Sequence, residues 1–141
     1  TCRYVHILEP GNEKADLERY KASLEMHLDY FSAFGYARDF TDLDEEPIPL
    51  GTRVTGDMIL EKGTVMIGTA AEVVDQIMEV KEAIGYEDFL FTCFFEMPGY
   101  TGPETEEQMR MFAAECMPAL GEACGGLREN PEGRVDLGPT L

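Results

Sequence analysis

The segment from Thr64 to Ile84 constrains the fold more than any other part of the chain. Thr64-Val65-Met66-Ile67 is a short apolar run suited to a strand covered on both faces. It passes through Gly68 into Thr69, a hydroxyl N-cap with Glu72 three residues on, the pattern of a capping box. Val73, Val74, Ile77, Met78 and Ile84 then mark the apolar stripe of a helix that Gly85 can end. A buried strand that turns directly into a helix belongs to α/β architecture with parallel strands.

The flanking segments repeat this unit. Thr1 to Leu8 carries the β-favouring residues Tyr4, Val5 and Ile7 and stops at Pro10-Gly11, so it reads as a strand. Asn12 offers an N-cap, and Leu17, Tyr20, Leu24, His27 or Leu28, Phe31 and Phe34 predict one long amphipathic helix ending at Gly35. Tyr36 to Thr55 is rich in Asp, Glu, Pro and Gly and reads as a long loop, followed by a short helix over Gly56 to Lys62. Phe89 to Phe95 reads as a third, doubly covered strand. Thr101 with Glu104 predicts a second capping box. A last helix buries Met109, Phe112, Ala113, Cys116, Met117 and Leu120 and closes at Pro118 and Gly121. The expected division is a folded region over 1–121 and an irregular tail over 122–141.

Repeated βα units fit an open parallel sheet or part of a barrel. Three strands leave long unpaired edges, so the expectation is that further strands come from a longer chain or from a partner, as a missing barrel half or a homo-oligomer.

Composition excludes several function classes. The net charge of −17 opposes a phosphate backbone or an anionic membrane, and Lys and Arg are scattered. Phe89 to Phe95 is too short to span a bilayer, and the start lacks a signal-peptide pattern, so a soluble, cytoplasmic protein is expected. Cys2, Cys93, Cys116 and Cys124 form no C-x-x-C pair, and His6 and His27 have no ligand spacing, so no metal site is expected. Asp42, Asp44, Glu45 and Glu46 lack the glycine and terminal glutamate of a calcium loop. His6, within a strand, reads as a packed, hydrogen-bonded histidine rather than a base, and Thr69 as a helix cap rather than a phosphate site.

Three segments carry a family resemblance. Gly63 through Val73 is similar to the segment of bacterial-luciferase-like, flavin-dependent monooxygenases in which an apolar strand runs into Ile-Gly-Thr-Pro and then Glu-x-Val, with Ala70 in place of the proline. Ile84-Gly85-Tyr86-Glu87-Asp88 and the aromatic run after it resemble the approach to the family's final strand. Met111 to Leu120 resembles its terminal helix, where Phe-Ala-x-Glu-x-Met-Pro recurs.

The resemblance implies a TIM (β/α)8 barrel of about 250 residues or more, of which this chain would be the C-terminal three βα units, incomplete as it stands. It implies an oxidoreductase that uses reduced FMN, supplied by a flavin reductase or NAD(P)H, and O2 to oxygenate a small apolar substrate. This portion alone is expected to be inactive, since much of the family's phosphate site lies in earlier units. Sites in such barrels gather at strand C-termini, here Leu8 to Pro10, Ile67 to Thr69 and Phe95 to Gly99. Met66, Gly68, Phe95, Glu96 and Met97 are the candidate pocket residues, and no catalytic or cofactor-binding residue transfers. The alternatives are a deazaflavin-dependent oxidoreductase on the same barrel, or a non-catalytic, self-associating acidic module.

Overall fold

The computed structural model describes residues 1–35, 38, 41, 45–85 and 90–124. Strand β1 (Cys2–Ile7) leads to helix α1 (Glu13–Ser32) and the short helix α2 (Gly56–Glu61). Strand β2 (Val65–Gly68) leads to α3 (Ala70–Ile84), and β3 (Thr92–Phe94) to α4 (Gly102–Met111). A π-helical turn over Phe112–Cys116 then joins α4 to α5 (Met117–Ala123).

The strands form an open parallel sheet in the order β2-β1-β3, with Tyr4 beside Val65 on one side and beside Phe94 on the other. Consecutive barrel units would run in chain order with the second strand in the middle, whereas here the first strand takes that place. Burial explains the choice: Val5, His6 and Ile7 are buried, while the three-residue β3 is at most half-buried.

Side-chain alternation along β1 sorts the molecule into two layers of helices. Val5 and Ile7 pack with Met66, Val73, Ile77, Cys116 and Leu120, which brings α3 and α5 onto one face. Tyr4 packs against the opposite cluster of Tyr20, Leu24, Leu28, Ile59, Val65 and Met97, which brings α1 and α2 onto the other. Gly56 lets α2 approach α1, because a Cβ there would lie 2.7 Å from the Cβ of Lys21.

Two glutamines close gaps in the sheet. The side-chain amide of Gln76 donates to the carbonyl of Ile67 (2.9 Å) and accepts from its N–H (3.2 Å). Gln108 does the same for Ile7, at 2.9 and 2.8 Å, beyond the point where β3 stops pairing with β1. Each amide stands where a neighbouring strand's peptide group would be.

Both expected capping boxes form, Thr69 with Glu72 and Thr101 with Glu104, and α3 ends at Gly85 in the left-handed conformation. Other details depart from expectation. Asn12 occupies the N-cap position of α1, but its side chain bonds Glu9 instead of the helix. Helix α1 ends at Ser32, short of Gly35, and Phe34 in the turn beyond it is three-quarters exposed. The third strand spans only Thr92–Phe94 and is not covered on both faces. Pro118 does not close the last helix: lacking an N–H, it removes one bond of the helical ladder, and the preceding π-helical turn carries the chain on to Ala123, so the first residues of the expected tail are helical. Residues 125–141, Asp42, Asp44 and Tyr86-Glu87-Asp88 lie outside the described residues. No helix among the described residues is long and apolar enough to cross a membrane.

Candidate functional site

A cleft of about 690 Å³ opens beside β3 and the loop that follows it. That volume lies within the range of small-molecule sites. Its walls are largely aromatic and sulfur-bearing: Tyr4, His27, Phe94, Met97, Tyr100 and Met109. Glu96 and Glu106 stand at it as acids, and among the described residues no Lys or Arg lines it. Arg110 is bound to Glu106 at 2.6 Å.

Strand parity and helix periodicity place these side chains. Tyr4 projects from β1 toward α1, where the α1 stripe presents His27, and the Tyr4 hydroxyl oxygen lies 2.7 Å from His27 Nε2. Their rings meet edge to face at 5.3 Å, and Phe94 lies 5.5 Å from Tyr4 on its other side. Both partners of the Tyr4–His27 bond are half-buried, so the pair is reachable from the cleft.

Behind this wall lies a buried polar cluster. His6 Nε2 sits 2.9 Å from Asp16 Oδ2, the same oxygen accepts from the Glu9 N–H at 2.9 Å, and the Tyr100 hydroxyl donates to Oδ1 over a long 3.5 Å. Asp16, in the first turn of α1, therefore ties together β1, the β1–α1 turn and the loop before α4. His6 stacks on Tyr20 with ring centroids 4.3 Å apart. Burial drives the His6 pKa down from its ordinary value, with Asp16 opposing, so the imidazole is held neutral. Burial and the charge of Asp16 push the Tyr100 phenol up to about 12.

The loop carrying Tyr100 is anchored to α1. Ser23 donates a hydrogen bond to the Pro98 carbonyl, and Arg19 donates to the Gly99 carbonyl at 2.9 Å while its guanidinium lies 4.1 Å over the Tyr100 ring. Arg19 also binds Glu104 at 2.7 Å. That bond, together with the Thr101 N–H and hydroxyl, lowers the Glu104 carboxyl to about 2.

Of the five pocket candidates, Glu96 and Met97 line the cleft. Met66 is buried in the opposite core, against α3 and α5. Phe95 also turns that way, meeting Phe112 edge to face at 5.5 Å. Gly68 ends β2 with φ at +151°, where a Cβ would strike the Glu72 carboxylate at 2.7 Å, so its role there is the turn into α3. Thr69 caps α3, and His6 is packed and hydrogen-bonded. Among the three strand ends, Phe95 to Gly99 borders the cleft, Leu8 to Pro10 supplies an N–H to Asp16, and Ile67 to Thr69 does neither.

Sequence reasoning missed Tyr4, His27, Asp16 and Tyr100. One signal was present: Asp16, Tyr20, Ser23 and His27 recur at helical spacing, a polar stripe on an otherwise apolar helix face. Among the described residues no group of three or more His, Cys, Asp or Glu side chains is arranged to hold a metal ion, and the four cysteines are free. Compared with protein-family models, curated proteins and solved structures, the chain matches none.

Proposed function

We propose that this chain is the C-terminal portion of an FMN-dependent monooxygenase, in which reduced FMN, supplied by a flavin reductase or NAD(P)H, and O2 oxygenate a small apolar substrate. The observation that carries this reading is the aromatic and methionine-lined cleft beside the C-terminal end of β3, where Glu96 and Met97 stand. It joins the family resemblance of the β2–α3 segment and of the last helix.

The cleft suits a flat apolar ring and not a phosphate. Tyr4, Phe94, Met97 and Met109 offer stacking and dispersion surface, whereas Glu96 and Glu106 repel an anion. The guanidinium groups around it are already engaged, Arg19 with Glu104 and the Gly99 carbonyl and Arg110 with Glu106. The phosphate of FMN is accordingly assigned to residues elsewhere in a complete barrel. When bound, reduced flavin supplies the electrons for oxygen activation. This chain's share is an aromatic and thioether wall, fixed in place by the Asp16 and Arg19 contacts to the loop at Tyr100.

The barrel part of the proposal carries a structural condition. In a closed barrel β1, β2 and β3 pair in chain order, so β3 would have to leave β1 for the outer edge of β2, displacing Gln76 from Ile67 and taking Phe94 away from Tyr4, and the cleft would be rebuilt in the process.

Translation of the intact reading frame, followed by absorption spectroscopy and oxygen-uptake measurements, tests the reading. Expected are a co-purifying or readily bound flavin and oxygen consumption with reduced FMN that matches the oxygenated product formed. A deazaflavin spectrum would transfer the proposal to hydride chemistry. Binding of neither coenzyme would overturn it.

A further inference from the structure

We infer that the cleft takes an organic cation, a small molecule with an apolar body and one alkylammonium group, held at the Phe94 ring beside Glu96. The inference names a ligand class for the cleft, so it rests on the reading of that cleft as a ligand site, and it does not depend on the flavin.

Charge selects the class. Glu96 and Glu106 both stand at the cleft, but Glu106 is paired with Arg110 at 2.6 Å. Glu96 is exposed and makes no hydrogen bond or ion pair with any described residue. Its carboxylate is thus left without a counter-charge at a cleft whose described lining holds no Lys or Arg. A cation supplies what is missing, and an anion is repelled by both acids.

The walls select the same class. The face of an aromatic ring carries the negative part of its quadrupole and attracts a cation, most effectively one whose alkyl substituents keep water away from the charge. Phe94 is half-exposed at the cleft and tilted 43° from the Tyr4 ring instead of stacked on it. Tyr100 has already taken a cation, because the Arg19 guanidinium lies 4.1 Å over its ring. The buried Met97 and the half-exposed Met109 add polarizable thioether surface for the substituents to cover. A chain of net charge −17 also draws any cation weakly, so a site has to be told apart from that general field.

Choline and 3,3-dimethyl-1-butanol have the same shape and differ by a quaternary nitrogen in place of a carbon. Each is titrated into the full chain at physiological ionic strength, with the Met97 and Met109 methyl signals followed by NMR. Choline is expected to bind at least about tenfold more tightly than the neutral alcohol. Phe94→Leu keeps an apolar side chain and removes the ring, and is expected to weaken choline about three- to tenfold while the alcohol stays within about twofold. Glu96→Gln is expected to weaken choline about two- to fivefold and leave the alcohol unchanged. Glu79→Gln removes the same charge from the exposed side of α3 and is expected to change neither. Equal binding of the two compounds overturns the cation while keeping the cleft as a ligand site. A preference that survives both Phe94→Leu and Glu96→Gln, or that falls as far in Glu79→Gln as in Glu96→Gln, assigns the binding to the general field and overturns it too. Should Phe94→Leu not fold, the comparison of Glu96→Gln with Glu79→Gln, both at exposed positions, decides alone. No signal shift with either compound overturns the inference and removes the cleft as a ligand site, an outcome separate from flavin retention by the translated parent.

Discussion

The two faces of the sheet are closed by different means. Toward α3 and α5, β1 presents Val5 and Ile7 to a cluster of aliphatic and sulfur-bearing side chains. Toward α1 it presents Tyr4 and His6 to a face built from tyrosines, a histidine and an aspartate. Among the described residues the buried polar side chains are His6, Asp16, Ser23 and Ser32, on β1 or α1 and none on α3, α4 or α5. The first face needs only volume to be filled, while the second also has donors to match with acceptors, a match that the buried Tyr20 hydroxyl lacks. The lesson is that the same alternation along one strand can build an apolar core on one side and a polar cluster beside a cleft on the other.

This contrast can be broken most severely from the apolar face. Ile7→Ala leaves a cavity between β1, α3 and α5 and is expected to cost about 2–5 kcal/mol in chemical denaturation. A cost well under 1 kcal/mol would mean that this face is loosely packed after all.

On the polar face the expected losses are smaller and depend on pH. Asp16→Ala strips the partner from His6 and from the Glu9 N–H and is expected to cost about 1–3 kcal/mol. His6 adds a pH signature. Its folded pKa lies below its ordinary 6.5, so the unfolded chain takes up the proton first as pH falls. The contribution of the neutral imidazole is complete above 6.5 and is lost progressively as pH drops below it. Stability measured against pH should therefore decline in that window, and His6→Gln should flatten the decline. A decline of equal slope in His6→Gln would assign it to other groups.

The smallest effect is expected at the seam between the cleft loop and α4. Thr101→Ala removes the hydroxyl that caps α4 and is expected to cost about 1 kcal/mol. Hydrogen exchange should localise that loss to the first turn of α4, and a loss spread over the sheet would show that the seam is not local.

Local chemistry made the β2–α3 unit legible almost residue by residue, because Thr69, Glu72 and Gly85 are each set by contacts within one turn of helix. The third strand was overread. The apolarity of Phe89 to Phe95 reports affinity for a covering layer and not the presence of one, and Leu90 and Phe94 stand exposed at 79% and 46%. Pro118 was misread for a related reason: a proline removes one ladder bond, but whether the helix ends or shifts to wider turns depends on what packs beside it, here Cys116 and Leu120. At the site, Glu96 and Met97 were legible as the residues that follow an apolar strand. Tyr4 and His27, which are 23 positions apart, were not, because their meeting depends on how α1 lies across β1.

Gln76 gives the sheet a polarity of growth. A strand arriving at the outer edge of β2 has to displace an amide that already satisfies both backbone groups of Ile67. Among the described residues β3 carries no such guard, so its outer edge is the side open to extension. The cleft is lined from β3 by Phe94, so the strand with the open edge is also one that contributes to the cavity.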